Sequence, residues 1–587
     1  MCGICGELTF DGSFADLSVV QRMTDTLAPR GPDAHGFHAQ GRMAFGHRRL
    51  KIIDLSEHAQ QPMVDNALGL GIVFNGCIYN YPSLREELEA RGYRFFSHGD
   101  TEVILKAWHC WGAEAVHRLN GMFAFAVWER DSGRVVLARD RLGIKPLYWT
   151  RAGGAFRFAS TLPALVRGGG VSGAIDPVAL RFYMSLHAVV PAPWTILADV
   201  RKLPPATVMT IEPDGTTRED TYWRLDFAPH LGDAAKSEQD WQDEVLEGLR
   251  RSVRRRMVAD VPVGLLLSGG LDSSLITGLM AEAGQPGLTT FSVGFEAVGG
   301  EQGDEFRYSD IVAETFATTH HKIMVGADRL LDTLPDCIHA MSEPMVSHDA
   351  VGFYILSQEV SRHLKVVQSG QGADEVFAGY HWYPPMMESR DPVGDYARVF
   401  FDRGDAEYAE AVGQDYRGPN HARAFVEQRF AATGADAAID KALRLDTTVM
   451  LVDDPVKRVD NMTMAWGLEA RVPFLDHELV ELAARVPAAL KVRDGGKWVL
   501  KEAARRVVPA AVIDRPKGYF PVPALKYLEG RALDFVKDVL SSPRPGLFER
   551  AYVDKLLAAP AEHITPLRGS KLWQVALLEA WLKSHAI

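Results

Sequence analysis

The chain has 587 residues, of which 47% are hydrophobic and 24% are charged, proportions typical of soluble globular domains. A chain of this length exceeds what one hydrophobic core supports, so we expect at least two domains. The formal net charge of −12 provides no general attraction for nucleic acid or for an anionic membrane surface, and we expect neither as a partner. No basic leader and no membrane-spanning apolar stretch stands out, which favours a cytoplasmic protein.

Cysteine usage indicates a reducing compartment. The five cysteines are few, odd in number and scattered, which argues against a disulfide framework. Cys2 and Cys5 form a C-x-x-C spacing, but no second pair supplies the two further ligands that a structural zinc site needs. We therefore expect no metal at this position.

The N-terminal part of the chain alternates short strand-like segments with turn signals. Examples are "MAFGHRRLKIIDL", "LGIVFNGCIYN" and "GMFAFAVWERDSGRVVLARD", in which "DSG" has the composition of a hairpin turn. Between them, "PSLREELEARGY" spaces Leu84 and Leu88 as in a short amphipathic helix that ends at Gly92. The mixture predicts an α+β domain with packed sheets.

A polar stretch follows, and beyond it the pattern changes. Residues 226–240 have the composition of a domain linker. After them, "VPVGLLLSGG" indicates a buried strand that enters a glycine turn, "LDSSLITGLMAEAG" the next helix and "LTTFSVGF" the next strand. "LKVVQSGQGADE" repeats the strand-to-glycine-turn pattern, and the end of the chain is mainly helical. These features predict an α/β domain with a parallel sheet, and the arginines of "RRSVRRRM" predict a solvated face or an ion-pair surface.

The segment "LLLSGGLDSS", residues 265–274, is the strongest local signal for a ligand. A strand that ends in "SGG" and opens a helix at "DSS" presents backbone N–H groups and hydroxyls to an anion, which predicts a phosphate cradle. The lysine of the P-loop is absent, so the loop is of another type. The alternative is a tight strand-to-helix turn capped by aspartate and serine.

Motifs spread over nearly the whole chain carry a resemblance to one enzyme family. "SGGLDSS" is similar to the pyrophosphate-binding loop of N-type ATP pyrophosphatases, which activate carboxylates as acyl-adenylates. Together with "MCGICG", "RGPD", "FNGCIYN", "GDTEV", "GMFAFAVWE", "RDRLGIKPLY" and "GLEARVPFLD", it resembles the glutamine-dependent asparagine synthetase family. The resemblance implies two domains joined by the linker: an N-terminal α+β N-terminal-nucleophile hydrolase sandwich over residues 2–225, and a C-terminal α/β ATP-pyrophosphatase domain with a parallel sheet and added helices over residues 241–587.

The resemblance gives the N-terminal domain a glutaminase site. Once the initiator methionine is removed, the Cys2 thiol would attack the glutamine carboxamide with its own α-amine as the base. The Asn75 amide, which also contacts glutamine, and the Gly76 N–H match the family's oxyanion hole. Arg49 matches the clamp of the α-carboxylate, and Asp100 the group that receives the α-ammonium. Taken alone, an arginine in "HRRL" would be a solvated charge and an Asn-Gly pair a turn.

The resemblance also implies an ATP and Mg²⁺ site in the C-terminal domain. Asp272 and Asp374 match two carboxylates that hold Mg²⁺ against the phosphates, ligands that suit this ion. Lys497 matches a lysine that stabilises charge developing during adenylation. The other matches are the pyrophosphate cradle, two apolar positions beside adenine that alone would be ordinary core, and a nucleotide-contacting loop: Ser268, Gly269, Gly270 and Ser273; Leu266 and Val293; Ser369, Gly370 and Gln371.

Two positions depart from the asparagine-forming pattern. Cys77 stands where the family usually has a glutamate that helps to hold the glutamine ammonium, and a neutral thiol cannot replace that charge. Gln371 stands in "SGQGADE" where those members carry "SGEGSDE", and a carboxamide cannot act as a base near neutral pH. With the ending "GADEVFAGYHWY", these positions resemble the N-acetylglutaminylglutamine amidotransferase branch, which amidates an acetylated glutamine dipeptide into a compatible solute for osmotic stress.

The resemblance therefore predicts a C–N ligase with ATP, glutamine and a carboxylate acceptor as small-molecule substrates, and with a homodimer as a possible assembly. The preferred acceptor is N-acetylglutaminylglutamine, and aspartate is the alternative. An inactive regulatory or binding homologue is a third reading, in which Cys77 and Gln371 would be signs of decay. The intact Cys2, Arg49 and Asp374 argue against it.

Overall fold

A computed structural model describes residues 2–285, 287–296, 304–515 and 528–587 of the chain. The N-terminal part contributes the following strands: β1 Gly3–Thr9, β2 Ala34–Gln40, β3 Met43–Arg49, β4 Met63–Asp65, β5 Leu70–Ile78, β6 Gly121–Glu129, β7 Val135–Arg139, β8 Tyr148–Ala152, β9 Ala155–Ala159, β10 Val200–Lys202, β11 Thr207–Ile211 and β12 Thr217–Thr221. They form two six-stranded antiparallel sheets, ordered β10-β8-β9-β1-β3-β2 and β12-β11-β7-β6-β5-β4.

The two antiparallel sheets pack face to face. Side chains alternate along each strand, so Ile4 of β1 and Ala124 of β6 come from different sheets into one buried cluster. Helices cover the outer faces: Leu17–Thr26 and Leu162–Gly168 on the first sheet, and Tyr81–Ala90, Asp100–Trp111 and Ala115–Arg118 on the second, with Pro177–Ser185 beyond them. The helix Tyr81–Ala90 buries Leu84 and Leu88 as its sequence pattern predicts. The predicted α+β sandwich is confirmed.

The C-terminal part is built on a five-stranded parallel sheet. Its strands are β13 Val263–Leu266, β14 Thr289–Phe295, β15 Thr319–Val325, β16 Val366–Gln368 and β17 Glu469–Arg471, in the order β15-β14-β13-β16-β17. Parallel strands need crossover connections, and helices supply them here, which confirms the predicted α/β domain. Within the described ranges, no helix combines the length and apolar character needed to cross a bilayer.

Many helices surround the parallel sheet and extend to the end of the chain. Two short π-helical segments, Asp446–Met450 and Val452–Val456, lie between the helices Ala438–Leu445 and Lys457–Met464. The other α-helices among the described residues of this part are Glu238–Arg255, Leu271–Glu282, Phe306–Thr315, Ala327–Ala340, Asp349–Val360, Ala373–Val376, Tyr383–Met386, Pro392–Phe400, Asp405–Ala411, His421–Ala431, His477–Arg485, Ala488–Val492, Trp498–Ala504, Ala510–Ile513, Gly530–Ser541, Arg550–Ala558 and Lys571–Ser584.

The arginine-rich end of the helix Glu238–Arg255 is less exposed than the sequence predicts. Arg255 takes part in an ion pair with Asp476, as expected for an ion-pair surface. Arg256, however, is buried: its Nη1 lies 2.9 Å from Asp476, and its guanidinium lies 4.8 Å from the centre of the Tyr79 ring in the N-terminal part. Of the two predicted alternatives, Arg256 therefore fits the ion pair and not the solvated face, because its guanidinium is buried against Tyr79.

A buried ionic cluster joins the two parts of the chain. Asp460, on the helix Lys457–Met464, receives hydrogen bonds of 3.0 Å from Arg30 Nη1 and from Lys145 Nζ, both in the N-terminal part. All three side chains are almost fully buried. The Arg30 Nε atom also donates to the Cys2 carbonyl oxygen at 3.2 Å. The cluster thus holds the first residues of β1 against the C-terminal part.

The Asp460→Asn variant is expected to lower the free energy of unfolding by about 3 to 5 kcal/mol, because the buried Arg30 and Lys145 side chains would lose the carboxylate that both contact. Urea unfolding monitored by fluorescence measures the change. The control is Lys365→Gln, which breaks a half-exposed ion pair with Asp33 across the same boundary and is expected to cost less than about 1 kcal/mol. Equal effects of the two variants would contradict the role of the buried cluster.

Candidate functional sites

The first candidate site lies at the start of β1, in the N-terminal sandwich. The Cys2 backbone N–H donates to Asn75 Oδ1 on β5 at 3.0 Å, and both residues are buried. The other amide atom of this side chain, Asn75 Nδ2, is buried without a hydrogen-bond partner among the described residues. An N–H donor fixed beside a thiol and not otherwise engaged is what an oxyanion hole requires.

A small cavity of about 30 Å³ opens beside this cysteine. Cys2, Arg49, Gly76 and Asp100 all line it, so the fold brings together residues that are widely separated in sequence. Gly76 has no room for a side chain, since a Cβ there would lie 2.1 Å from the Met122 carbonyl oxygen of the neighbouring strand. Only glycine can therefore present its backbone at this point of β5.

The Arg49 guanidinium is held in place by the loop that follows it. Its Nη1 donates to the Ser56 carbonyl oxygen at 2.8 Å, and its Nη2 donates to that of Asp54. Two backbone acceptors thus fix the plane of the guanidinium at the cavity wall. A fixed guanidinium suits a bidentate contact with a carboxylate.

Cys2 and Asp100 are two of the titratable groups that line the cavity, and the pKa values of both are raised. Burial raises the pKa of the Cys2 thiol, and the amino-terminal charge, a backbone hydrogen bond and Arg49 only partly oppose this effect. The thiol therefore needs a base to react as a thiolate. Burial also raises the pKa of Asp100 to about 6, although its Oδ2 accepts a hydrogen bond from the Ile78 N–H at 3.0 Å.

The C-terminal part also contributes to this cavity, which the sequence did not predict. Glu469 and Arg471 of β17 both line it and are buried. Their side chains form an ion pair in which Arg471 Nε lies 2.6 Å from Glu469 Oε1. The segment "GLEARVPFLD" supported the family resemblance, but nothing in its local pattern indicates a contact with the other domain.

The second candidate site is a pocket of about 360 Å³ at the parallel sheet. It lies where β13 and β16 end, the position at which open α/β folds bind ligands. Eleven of the twelve predicted residues line it: Leu266, Ser268, Gly270, Asp272, Ser273, Val293, Ser369, Gly370, Gln371, Asp374 and Lys497. Gly269 does not line the pocket. It adopts a left-handed turn with φ 73°, and a Cβ there would lie 2.7 Å from the Ser309 nitrogen behind the loop.

The predicted phosphate cradle is a compact strand-to-helix turn. Ser268 N–H donates to Ser273 Oγ at 3.2 Å, and Gly270 N–H donates to Ser268 Oγ at 3.3 Å. The helix Leu271–Glu282 begins at this turn, so its N-terminal dipole faces the pocket. Gly370 of the second loop approaches closely, since a Cβ there would lie 3.1 Å from Asp272 Cβ. The two predicted loops therefore form one wall.

Lys497 forms ion pairs with both predicted metal ligands, Asp272 and Asp374. Its Nζ lies 2.7 Å from Asp272 Oδ2 and 2.9 Å from Asp374 Oδ1. Burial alone would lower the pKa of Lys497, but the two carboxylates hold it well above its ordinary value, so the side chain stays charged. Gly379 makes room for the group, because a Cβ there would lie 2.3 Å from Lys497 Cε.

The donor set fits Mg²⁺ in the presence of a nucleotide. Asp272 and Asp374 converge on one cation, the lysine ammonium, which indicates that they form a focused site of negative charge. No cluster of three or more His, Cys, Asp or Glu side chains in the described ranges could hold a metal ion by itself. Mg²⁺ binds through one or two carboxylates with phosphate oxygens and water completing its shell, so two aspartates suffice beside a triphosphate.

The fold and its sites define a class of protein, the two-domain glutamine amidotransferases. The N-terminal domain is an antiparallel sandwich with a buried cysteine at the start of its first strand, and the C-terminal domain is a parallel-sheet domain with an anion-binding loop. Family models agree with this classification: residues 1–223 match the glutamine amidotransferase domain, and residues 244–583 match asparagine synthase. The chain belongs to the asparagine synthetase family.

Curated relatives match over nearly the whole chain. The glutamine-hydrolysing asparagine synthetase 1 of Bacillus subtilis (strain 168) is 33% identical over 627 residues, which cover 99% of this chain and 96% of the relative. Asparagine synthetase 3 of the same organism is 30% identical over 623 residues, covering 100% of this chain and 99% of the relative. Asparagine synthetase B of Escherichia coli (strain K12) is 28% identical, covering 89% and 82%.

Proposed function

We propose that the protein is a glutamine-hydrolysing amide synthetase that uses ATP to activate a carboxylate and glutamine-derived ammonia to amidate it. The observation that carries the proposal is that one chain holds both the Cys2 cavity and the pocket around Lys497. We assign the first reaction to residues 2–225 and the second to residues 241–587, with 226–240 as the linker.

In the first half-reaction, the Cys2 thiol adds to the γ-carboxamide carbon of glutamine. The Cys2 α-amine, freed when the initiator methionine is removed, accepts the thiol proton. The negative oxygen of the tetrahedral intermediate is stabilised by Asn75 Nδ2 and the Gly76 N–H. Ammonia leaves, and water then releases glutamate from the thioester. Arg49 and Asp100 orient the substrate through its α-carboxylate and α-ammonium.

In the second half-reaction, the acceptor carboxylate attacks the α-phosphorus of ATP and pyrophosphate leaves. Leu266 and Val293 would contact adenine, and the turn at residues 268–273 would bind the pyrophosphate group. Mg²⁺, held by Asp272 and Asp374, would neutralise phosphate charge. Lys497 contributes a fixed positive charge beside the reacting phosphate, and ammonia then displaces AMP from the adenylate to give the amide.

We propose N-acetylglutaminylglutamine as the acceptor, with the amidated dipeptide as the product. The support for it is Gln371, which lines the pocket with a neutral carboxamide where asparagine-forming members have a glutamate. Aspartate is the second candidate, because the curated relatives are named asparagine synthetases. An inactive homologue is the third candidate, and the convergence of most predicted site residues on two pockets argues against it.

A product screen by mass spectrometry separates these functions. The full chain is supplied with Mg-ATP, glutamine and either N-acetylglutaminylglutamine or aspartate. We expect glutamine-dependent amide, AMP and pyrophosphate with the dipeptide, and at least about tenfold less product with aspartate, since an unmatched polar pocket rejects the wrong substrate strongly. Efficient conversion of aspartate alone would replace the proposed acceptor. No turnover with either acceptor and no glutamate release would favour the inactive homologue.

A further inference from the structure

Glu469 places a carboxylate from the C-terminal sheet inside the glutaminase cavity. It lines that cavity together with Cys77 and Asp100, and its negative charge raises the pKa values of both of those groups, after the larger effect of burial. The three side chains therefore surround one small space. Of the three, only Asp100 and Glu469 can carry the charge that an ammonium group needs.

The position of Glu469 is fixed by the strand that carries it. Glu469 N–H donates to the Lys365 carbonyl oxygen at 2.8 Å, and β17 pairs with β16 along its length. Residues two apart on a strand point to the same side, so Glu469 and Arg471 both enter the cavity while Ala470 faces away. Arg471 is anchored in turn, because its Nη1 donates to the carbonyl oxygens of Arg256 and Val258 at 2.8 and 2.7 Å.

The charges of the cavity match those of a free amino acid. Arg49 lines the cavity and offers positive charge for an α-carboxylate, while Asp100 and Glu469 line it and offer negative charge, with Arg471 paired to Glu469. Burial would raise the pKa of Glu469, but nearby positive charge, including that of Arg471, lowers it, so this carboxylate is ionised at neutral pH. Cys77 is neutral there, because burial raises the pKa of its thiol far above the ordinary value.

We infer that Glu469 receives the α-ammonium of glutamine together with Asp100, and that the C-terminal domain thereby completes the glutamine-binding cavity of the N-terminal domain. The inference rests on the proposed glutaminase reaction. It assigns to Glu469 the role that Cys77 cannot fill, and it makes glutamine recognition depend on the contact between the two domains. Glu469 binds substrate in this assignment and takes no part in the proton transfers.

The test is steady-state glutaminase kinetics of the full chain, with removal of the initiator methionine verified by mass spectrometry. Glu469→Gln is expected to raise KM for glutamine by about tenfold or more, with a smaller change in kcat, because a buried charge-assisted contact is lost. Adding Cys77→Glu to this variant is expected to return KM to within about threefold of the wild-type value, since Cys77 lines the same cavity and a carboxylate is restored there. Adding Cys77→Gln, which has the same length without the charge, is expected to leave KM raised.

Two results would overturn the inference: a Glu469→Gln variant with unchanged KM, or equal rescue by Cys77→Glu and Cys77→Gln. If Glu469→Gln fails to fold, the single variant Cys77→Glu decides. It is expected to change KM by less than about threefold when Glu469 already provides the second carboxylate, whereas a fall of about tenfold would mean that this carboxylate was missing. Failure of the proposed function is a different outcome, in which the wild-type chain releases no glutamate from glutamine.

Discussion

Replacement of Cys2 by alanine is expected to lower glutamine-dependent amide synthesis by about 10³-fold or more, because the thiol forms the covalent bond on which ammonia release depends. Synthesis from added ammonium chloride is expected to continue, since the second pocket contains no residue of the first. The backbone of residue 2 also keeps its hydrogen bond to Asn75, so the variant should preserve the local structure. Both activities are measured as amide product, with glutamine or ammonium as the nitrogen source.

The matched control for Cys2→Ala is Cys110→Ala. Cys110 is partly buried on the helix Asp100–Trp111 and lines neither pocket, so both nitrogen sources should support synthesis in that variant. Loss of ammonia-dependent synthesis in Cys2→Ala to the same extent as glutamine-dependent synthesis would contradict the division of the reaction between two sites. Retention of glutamine-dependent synthesis would show that another group is the nucleophile.

Sequence reasoning predicted those parts of the fold whose signals lie within one short, contiguous segment of the chain. The turn at residues 268–273 follows a buried strand and starts a helix, so the strand pattern, the glycine turn and the helix start lie in one short segment. The same holds for β14 and for the helix Tyr81–Ala90. Gly269 shows what a local motif does not predict. The motif places this residue in the loop, but which loop atoms face the ligand depends on the packing behind the loop, here against the Ser309 backbone.

The contribution of β17 could not be predicted in this way. Glu469 and Arg471 reach the glutaminase cavity only because the sandwich packs against the edge strand of the parallel sheet. The burial of Arg256 has the same cause, since this side chain packs against Tyr79 of the other domain. A charged residue in a local pattern is expected at the surface, and at these positions contacts between the domains reverse that expectation.

β17 also connects the two pockets physically. The Arg471 side chain lines the glutaminase cavity, and its carbonyl oxygen accepts a hydrogen bond from the Ser369 N–H at 2.8 Å. Ser369 begins the loop that carries Gln371 and Asp374 into the second pocket. β17 thus contributes side chains to the glutaminase cavity and a backbone hydrogen bond to the loop of the second pocket. Arg471 and Ser369 are the residues at which the two sites are connected.

Replacement of Lys497 by methionine is expected to lower acceptor-dependent ATP–pyrophosphate exchange by about 10²- to 10³-fold, the usual effect of removing a preorganised charge from a reacting centre. Methionine keeps much of the length of the side chain but removes the ammonium that lies between Asp272 and Asp374. The two carboxylates would then lose the ammonium that both contact, and the reacting phosphate would lose the positive charge that we assign to Lys497. Glutamate release by the first site, measured on the same preparation, serves as the internal reference for folding.

Lys555→Met is the matched control, because Lys555 forms a half-exposed ion pair with Glu410 at 3.0 Å and lines neither pocket. Its exchange rate should stay within about twofold of the wild-type rate, since an exposed pair contributes little free energy. A loss of less than about tenfold in Lys497→Met would contradict a direct electrostatic role, because that loss corresponds to only one modest hydrogen bond. Equal losses of exchange and glutaminase activity would mean instead that Lys497 supports the fold of the whole chain. The ratio of the two losses therefore distinguishes chemistry at Lys497 from structure.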